Sequence, residues 1–229
     1  MLEDPPVLQV RRNHARPDTA TLARFEGVPT GFVVDCMDGR GALDFRVKPV
    51  DPAHADFVGA ALTCLCGPGD NLAVVGALAF VQPGDVIMAA TDHFTGLAVV
   101  GDRVAGMARN RGAAALVTDG VARDTPGIVA AGLPLFCYGV TPNSCAASGP
   151  GVIGEPVVVG GVAVQSGDIV VGDRDGVVVV PQAQIAAVLT RLDQVRRAEA
   201  AMDARVAEGL GVPDKITALL GSTRVRFLD

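Results

Sequence analysis

Between Phe57 and Tyr138 short apolar runs alternate with stretches of helical length, and after Gly154 valine runs split by glycine turns take over. That order narrows the fold sharply. Strands alternating with helices of about ten residues build βαβ units around a parallel sheet. Residues 57–64 predict a buried strand, Pro68-Gly69-Asp70-Asn71 a turn with a helix cap, and Leu72 to Val81 a helix stopped by Pro83-Gly84. Residues 86–90 predict a second strand, 101–111 a helix closed by Gly112, 114–118 a third strand, 128–131 part of a short helix and 134–138 a fourth strand. Beyond Gly154, the runs 157–159, 162–164, 169–171 and 177–180 predict strands joined by hairpin turns at Gly160-Gly161, Ser166-Gly167-Asp168 and Asp173-Arg174-Asp175-Gly176. Pro181 then opens a long Ala-rich helix to about Glu208. One domain is expected, with an N-terminal arm and helix over 1–28, a core over 29–181, and a C-terminal helix and tail over 182–229.

Composition excludes several classes of function. Hydrophobic residues make up 49% of the chain, much of it Ala and Val, with one Tyr and no Trp, so a tightly packed core of small side chains is expected. A formal charge of −6 argues against a nucleic-acid partner, and the basic cluster Arg191, Arg196 and Arg197 reads as a solvated helix face. The longest apolar stretch, Leu72 to Val81, falls well short of the roughly twenty residues a spanning helix needs, so no membrane partner is expected. The opening Met-Leu-Glu-Asp-Pro-Pro lacks the basic and apolar regions of a signal peptide. Five cysteines without a Cys-x-x-Cys fit reduced thiols in the cytoplasm, with Cys64 and Cys66 on one strand face as core packing.

The stretch Val117-Thr118-Asp119-Gly120-Val121-Ala122-Arg123-Asp124 follows a buried strand, and ligands of open α/β sheets sit beyond the carboxyl ends of strands. Asp102 begins the preceding helix, so parallel strands would bring Asp102, Arg123 and Asp124 to one edge of the sheet. The turn Gly101-Asp102-Arg103-Val104 would offer unpaired N–H groups to a carboxylate. Mg²⁺ or Mn²⁺ prefers oxygen ligands, often one or two carboxylates, and leaves positions for substrate and water. A 2-keto acid can chelate such a cation, which as a Lewis acid stabilises the enolate left when the C3–C4 bond breaks, with an arginine adding positive charge beside it. A plain alternative stays open: an Arg-Asp pair in a loop is ordinarily a surface salt bridge, and Asp102 could simply cap a helix. Other candidates are weaker. His14, His54 and His93 have no ligand spacing, Gly149-Pro150-Gly151 precedes strands rather than opening a helix, and Asp168, Asp173 and Asp175 lack EF-hand spacing.

At these residues the chain resembles the RraA-like proteins, which include the 4-hydroxy-4-methyl-2-oxoglutarate/4-carboxy-4-hydroxy-2-oxoadipate aldolases. The likeness runs from about Val28 to Asp214 through Gly59-Ala60-Ala61-Leu62-Thr63, Pro68-Gly69-Asp70-Asn71-Leu72, Pro83-Gly84-Asp85-Val86, Asp119 to Asp124, Gly160-Gly161-Val162, Gly167-Asp168 and Asp173 to Pro181. The resemblance implies an α/β/β sandwich of the swivelling (phosphohistidine-like) domain type with a projecting C-terminal helix, assembled as homotrimers or homohexamers. It implies a class II-type aldolase that releases pyruvate from a 4-hydroxy-2-keto acid and also decarboxylates oxaloacetate, since both reactions leave the same enolate. Its Asp-x20-Arg-Asp signature falls on Asp102, Arg123 and Asp124. There Asp124 is the metal ligand, Arg123 contacts the pyruvyl group, and Asp102 works through a water on the metal. A glutamate from the neighbouring subunit's late helix completes the site, a place that Glu199 fits; Glu199 reads equally as an ordinary exposed helical residue. The aldolases commonly carry a basic residue in the loop after the strand ending near Tyr138, where this chain has Asn143-Ser144-Cys145-Ala146-Ala147-Ser148, so a distal substrate carboxylate lacks that counter-charge here. Regulators of ribonuclease E in the same family bind protein partners and have lost the second aspartate of the signature. Asp124 is present in this chain, which favours the enzyme. A methyltransferase finds no Gly-rich loop after an early strand.

Overall fold

The computed structural model describes residues 6–228; the first five residues of the expected arm and the last residue of the tail lie outside them. In chain order, β1 (Leu8–Val10), α1 (Thr19–Ala23), α2 (Thr30–Cys36) and β2 (Lys48–Pro49) lead into the alternating region. That region comprises β3 (Phe57–Leu65), α3 (Leu72–Ala77), β4 (Asp85–Ala90), β5 (Ala98–Val100), α4 (Asp102–Asn110), β6 (Ala115–Thr118), β7 (Val121–Ala122), α5 (Thr125–Ala131) and β8 (Leu135–Cys137). There follow β9 (Gly151–Ile153), β10 (Val157–Val159), β11 (Val162–Val164), β12 (Ile169–Asp173), β13 (Gly176–Val180), α6 (Ile185–Ala207) and α7 (Asp214–Leu220).

The fold is mixed α/β. Strands β3, β4, β6 and β8 run parallel in that order, and β2 closes one edge antiparallel to β8. The other edge of β3 is shared: Phe57–Ala60 pairs with β12, and Cys64–Leu65 pairs with β9. Strand β1 adds itself parallel to β9, so the N-terminal arm enters the main sheet as an edge strand.

Period-two alternation divides the core. Leu62, Cys64, Ile87, Ala89, Leu116 and Leu135 face helices α3, α4 and α5, whose Val74, Val104 and Ile128 they bury. Cys66 joins Cys64 in that cluster, as apolar packing. On the opposite face Ala61, Val86, Met88, Val117 and Phe136 meet Val157, Val159 and Val164 of the β10–β11 hairpin. The β12–β13 hairpin is buried on both sides. Val170, Val177 and Val179 join that second cluster, while Ile169, Val171, Val178 and Val180 pack on Val33 of α2 and on Val188 and Leu192 of α6. Continuous valine runs are what a strand buried on two faces requires.

Two expectations need correction. The helix expected over 72–81 ends at Ala77, and the chain then turns through Ala79 N–H to Gly76 O and Phe80 N–H to Ala77 O. Gly76 is a poor helix former, and the apolar run continues past the helix because Leu78 and Val81 are core side chains of the turn. Ser166-Gly167-Asp168 is not a hairpin turn either, since β11 pairs with β10 whereas β12 pairs with β13 and β3. It is a crossing between sheets: Asp168, buried, accepts Gln165 N–H and Gln182 N–H, and its carbonyl accepts Ala61 N–H.

Candidate active site

The site grows from a small feature that the hydrophobic pattern leaves out. Strands β5 and β7 form a separate two-stranded parallel sheet beyond the carboxyl ends of β4 and β6. Each leads directly into a helix, β5 into α4 and β7 into α5, so two helix N-termini start side by side. Arg123 N–H donates to Val100 O at 3.0 Å, locking the two exits together. Gly101 caps α4 in extended conformation, with no side chain to spend on the helix. A Cβ there would come within 3.0 Å of Asp124 Oδ2 and 3.2 Å of Arg123 Cγ, so the bare backbone of Gly101 is what lets both side chains lie across it. Gly127 of α5 does the same for Asp102, whose side chain a Cβ would strike.

Asp124 is held in an uncommon state. Its backbone is left-handed (φ 61°, ψ 44°), a region that Asp tolerates better than most residues. It occupies the N-cap of α5, yet its carboxylate makes no cap hydrogen bond; the backbone carbonyl instead accepts Gly127 and Ile128 N–H. Aspartate at an N-cap ordinarily uses its side chain for the helix. Among the described residues the carboxylate here meets only Arg123, whose Nε stands 3.3 Å from Oδ2 in a half-exposed pair. Asp102 spends one oxygen, Oδ1, on Arg103 N–H at 2.7 Å, leaving Oδ2 without a hydrogen-bond partner among the described residues.

A cavity of about 90 Å³ opens beside these groups, and Gly101, Asp102, Arg103, Val104 and Arg123 all line it. Asn71, Ser144 and Cys145 form its other wall, with Asp124 just behind Arg123. That wall is pinned by Asp70, a buried residue that accepts Leu72 N–H (2.8 Å), Ser148 N–H (2.6 Å) and Gly149 N–H (2.9 Å). Burial works against the Asp70 charge, but those three donors outweigh it and hold the carboxyl below its ordinary range. Asp70 thus does more than begin a helix: it carries the 143–149 loop across the cavity, helped by Ala98 N–H to Asn143 O. Burial pushes the Cys145 thiol up, which leaves it a neutral wall group.

The structure brings together every candidate except Glu199. Glu199 lies on α6, which packs against α2 on the far side of the β12–β13 hairpin, and it lines no part of this cavity. Asp119, inside the same sequence stretch, is buried and structural, accepting Thr91 N–H and Oγ1–H. Asn71, Ser144 and Cys145 escape sequence reading as site residues, although the turn and the loop that bear them are both visible there. Among the described residues no cluster of three or more His, Cys, Asp or Glu side chains is arranged to hold a metal. Mg²⁺ or Mn²⁺ needs no such cluster, because one carboxylate, a second close by, and substrate oxygens can satisfy it. Asp124 and Asp102 are the residues that could serve it.

Known proteins resemble the chain along most of its length. Residues 30–179 match the family model RraA-like, described as Aldolase/RraA. A protein of Halalkalibacterium halodurans named "Putative 4-hydroxy-4-methyl-2-oxoglutarate aldolase" is 35% identical over 82% of this chain and 90% of its own. An uncharacterized protein of Pseudomonas syringae pv. tomato superposes with a TM-score of 0.74 at 27% identity, covering 86% of this chain and 96% of that one. RraAS2 of Streptomyces coelicolor, described as an unusual member of the RNase ES inhibitor RraA protein family, gives a TM-score of 0.74 at 27% identity over 83% of this chain and 100% of that one.

Proposed function

The chain belongs to the RraA-like family, and from that premise we propose that it is a divalent-metal-dependent aldolase releasing pyruvate from a 4-hydroxy-2-keto acid. The observation that carries this reading is Asp124: a carboxylate at a helix N-cap, in a left-handed backbone, withheld from the helix and set beside Arg123. When bound, Mg²⁺ or Mn²⁺ supplies Lewis-acid polarisation of the substrate's keto oxygen. Asp124 would hold that cation. The guanidinium of Arg123 would pair with the pyruvyl oxygens, placing fixed positive charge where negative charge develops. The open N-terminal turn of α4, Gly101 to Val104, would receive the substrate's 1-carboxylate through its N–H groups. Asp102, through its free Oδ2 and an intervening water, would receive the proton of the 4-hydroxyl as the C3–C4 bond breaks.

The same reading includes oxaloacetate decarboxylation, because loss of CO₂ and loss of a second carbonyl compound leave one enolate. It also assigns the chain to the α/β/β sandwich of swivelling-domain type, in a cytoplasmic homotrimer or homohexamer whose 182–229 segment packs on a neighbour and contributes Glu199. A second reading is favoured by the likeness to RraAS2: a non-catalytic regulator that binds a protein partner. Screening 4-hydroxy-2-keto acids and oxaloacetate with Mg²⁺ and Mn²⁺, following pyruvate, separates the two. Turnover that disappears in Asp124→Asn establishes the enzyme; no turnover on any of them leaves the regulator.

A further inference from the structure

Resting on the aldolase reading, we propose that Arg103 is the specificity-determining cation of the site, the partner of a second carboxylate on the substrate. Three observations point to it. Arg103 lines the cavity with Arg123, is exposed, and among the described residues pairs with no carboxylate, whereas Arg123 is already engaged by Asp124. It stands in the first turn of α4, where the helix dipole disfavours a cation and favours an acid, so its position gains nothing for the helix itself. The opposite wall, Asn71, Ser144 and Cys145, brings no charge at all.

The pairing of the lining groups gives the substrate class. The N–H groups of the α4 turn and Arg123 would serve the 2-keto acid end, and Arg123 already has Asp124 beside it, so Arg103 is the charged lining group left over among the described residues. A second carboxylate on the substrate would find its partner there, and a 2-keto monoacid would leave Arg103 unused. The counter-charge that the 143–148 loop lacks is thus supplied from the start of α4.

The test measures binding by titration calorimetry in Mg²⁺, using 2-oxoglutarate, which has the second carboxylate but no 4-hydroxyl to support cleavage, and pyruvate as the monoacid. The wild type should prefer 2-oxoglutarate, and Arg103→Gln should reduce the ratio of the two affinities by about ten- to a hundredfold, as loss of a charge-assisted contact does. Arg103→Lys should recover most of that ratio, which a purely structural arginine would not require. In turnover, the ratio of kcat/KM for a 4-hydroxy-2-keto diacid over the matching monoacid should fall in parallel, mainly through KM. Equal affinity losses for both probes, or none, overturn the proposal and leave the aldolase reading intact. A wild type that binds neither probe rejects both.

Discussion

At the scale of single residues, Asp124 matters for what it does not do. A carboxylate at an N-cap usually stabilises its helix by about 1 kcal/mol, and here that contribution is forgone. Removing the charge should therefore cost the fold little and the chemistry almost everything. Asp124→Asn, which keeps both the shape and the tolerance for a left-handed backbone, should leave Tm within a few degrees while lowering kcat by at least about a thousandfold, as loss of a central electrostatic group does. Arg123→Lys should lose most activity as well, because an ammonium cannot reproduce the paired contacts of a planar guanidinium. A circular dichroism melt beside a pyruvate-release assay checks both variants. An Asp124→Asn protein that melts far below the wild type would show that the carboxylate serves the fold instead.

At the scale of elements, the sequence shows the main sheet well and the site's platform poorly. The strands of residues 57–65, 85–90 and 115–118 are legible because each is a continuous buried run bounded by Gly or Pro. Strands β5 and β7 are three and two residues long, too short to carry a period, and they pair with each other and, through single bridges, with the 140–144 loop. They nevertheless set Asp102 beside Arg123. Likewise nothing periodic reveals that the arm belongs to the sheet. Its seating depends on Gly154 and Gly167, both at positive φ, where a Cβ would collide with the carbonyls of Arg11 and Ala15. Arg16 then anchors it through a two-pronged pair with the buried Asp85, at 3.0 and 2.9 Å. His14 sits between these contacts with both ring nitrogens buried and, among the described residues, without a hydrogen-bond partner. Burial, reinforced by Arg16 and opposed by Asp85, holds its imidazole below the ordinary value of 6.5. The unfolded chain accepts this proton near pH 6.5 while the folded chain resists it, so stability should decline as pH falls below that point. Urea midpoints at pH 7.5 and about 5.5 should show the decline in the wild type and a smaller one in His14→Gln; identical declines would place the acid sensitivity elsewhere.

At the scale of the whole molecule, the outer part of the chain leaves apolar side chains exposed. Val188 and Leu192 are the buried residues of the long helix α6, and α7 has none, while Met202, Val206, Val212 and Leu220 are exposed. No helix of the described residues is long and apolar enough to cross a membrane. In a cyclic assembly the same two patches meet at every interface, so a neighbour's α6 would bring Glu199 to a site that its own chain does not offer it. Mixing inactive Asp124→Ala and Glu199→Ala proteins after dissociation should restore about a quarter of the sites, as random reassembly of a closed ring requires. No recovery, with subunit exchange verified, would remove Glu199 from the neighbour's site. Whether this molecule cleaves a carbon–carbon bond with a divalent cation held at Asp124 is decided by pyruvate release from thoroughly metal-depleted protein, before and after metal is returned. Silence without metal and full turnover on addition of Mg²⁺ or Mn²⁺ are expected; undiminished turnover by the metal-free protein would mean that the bond breaks without a cation.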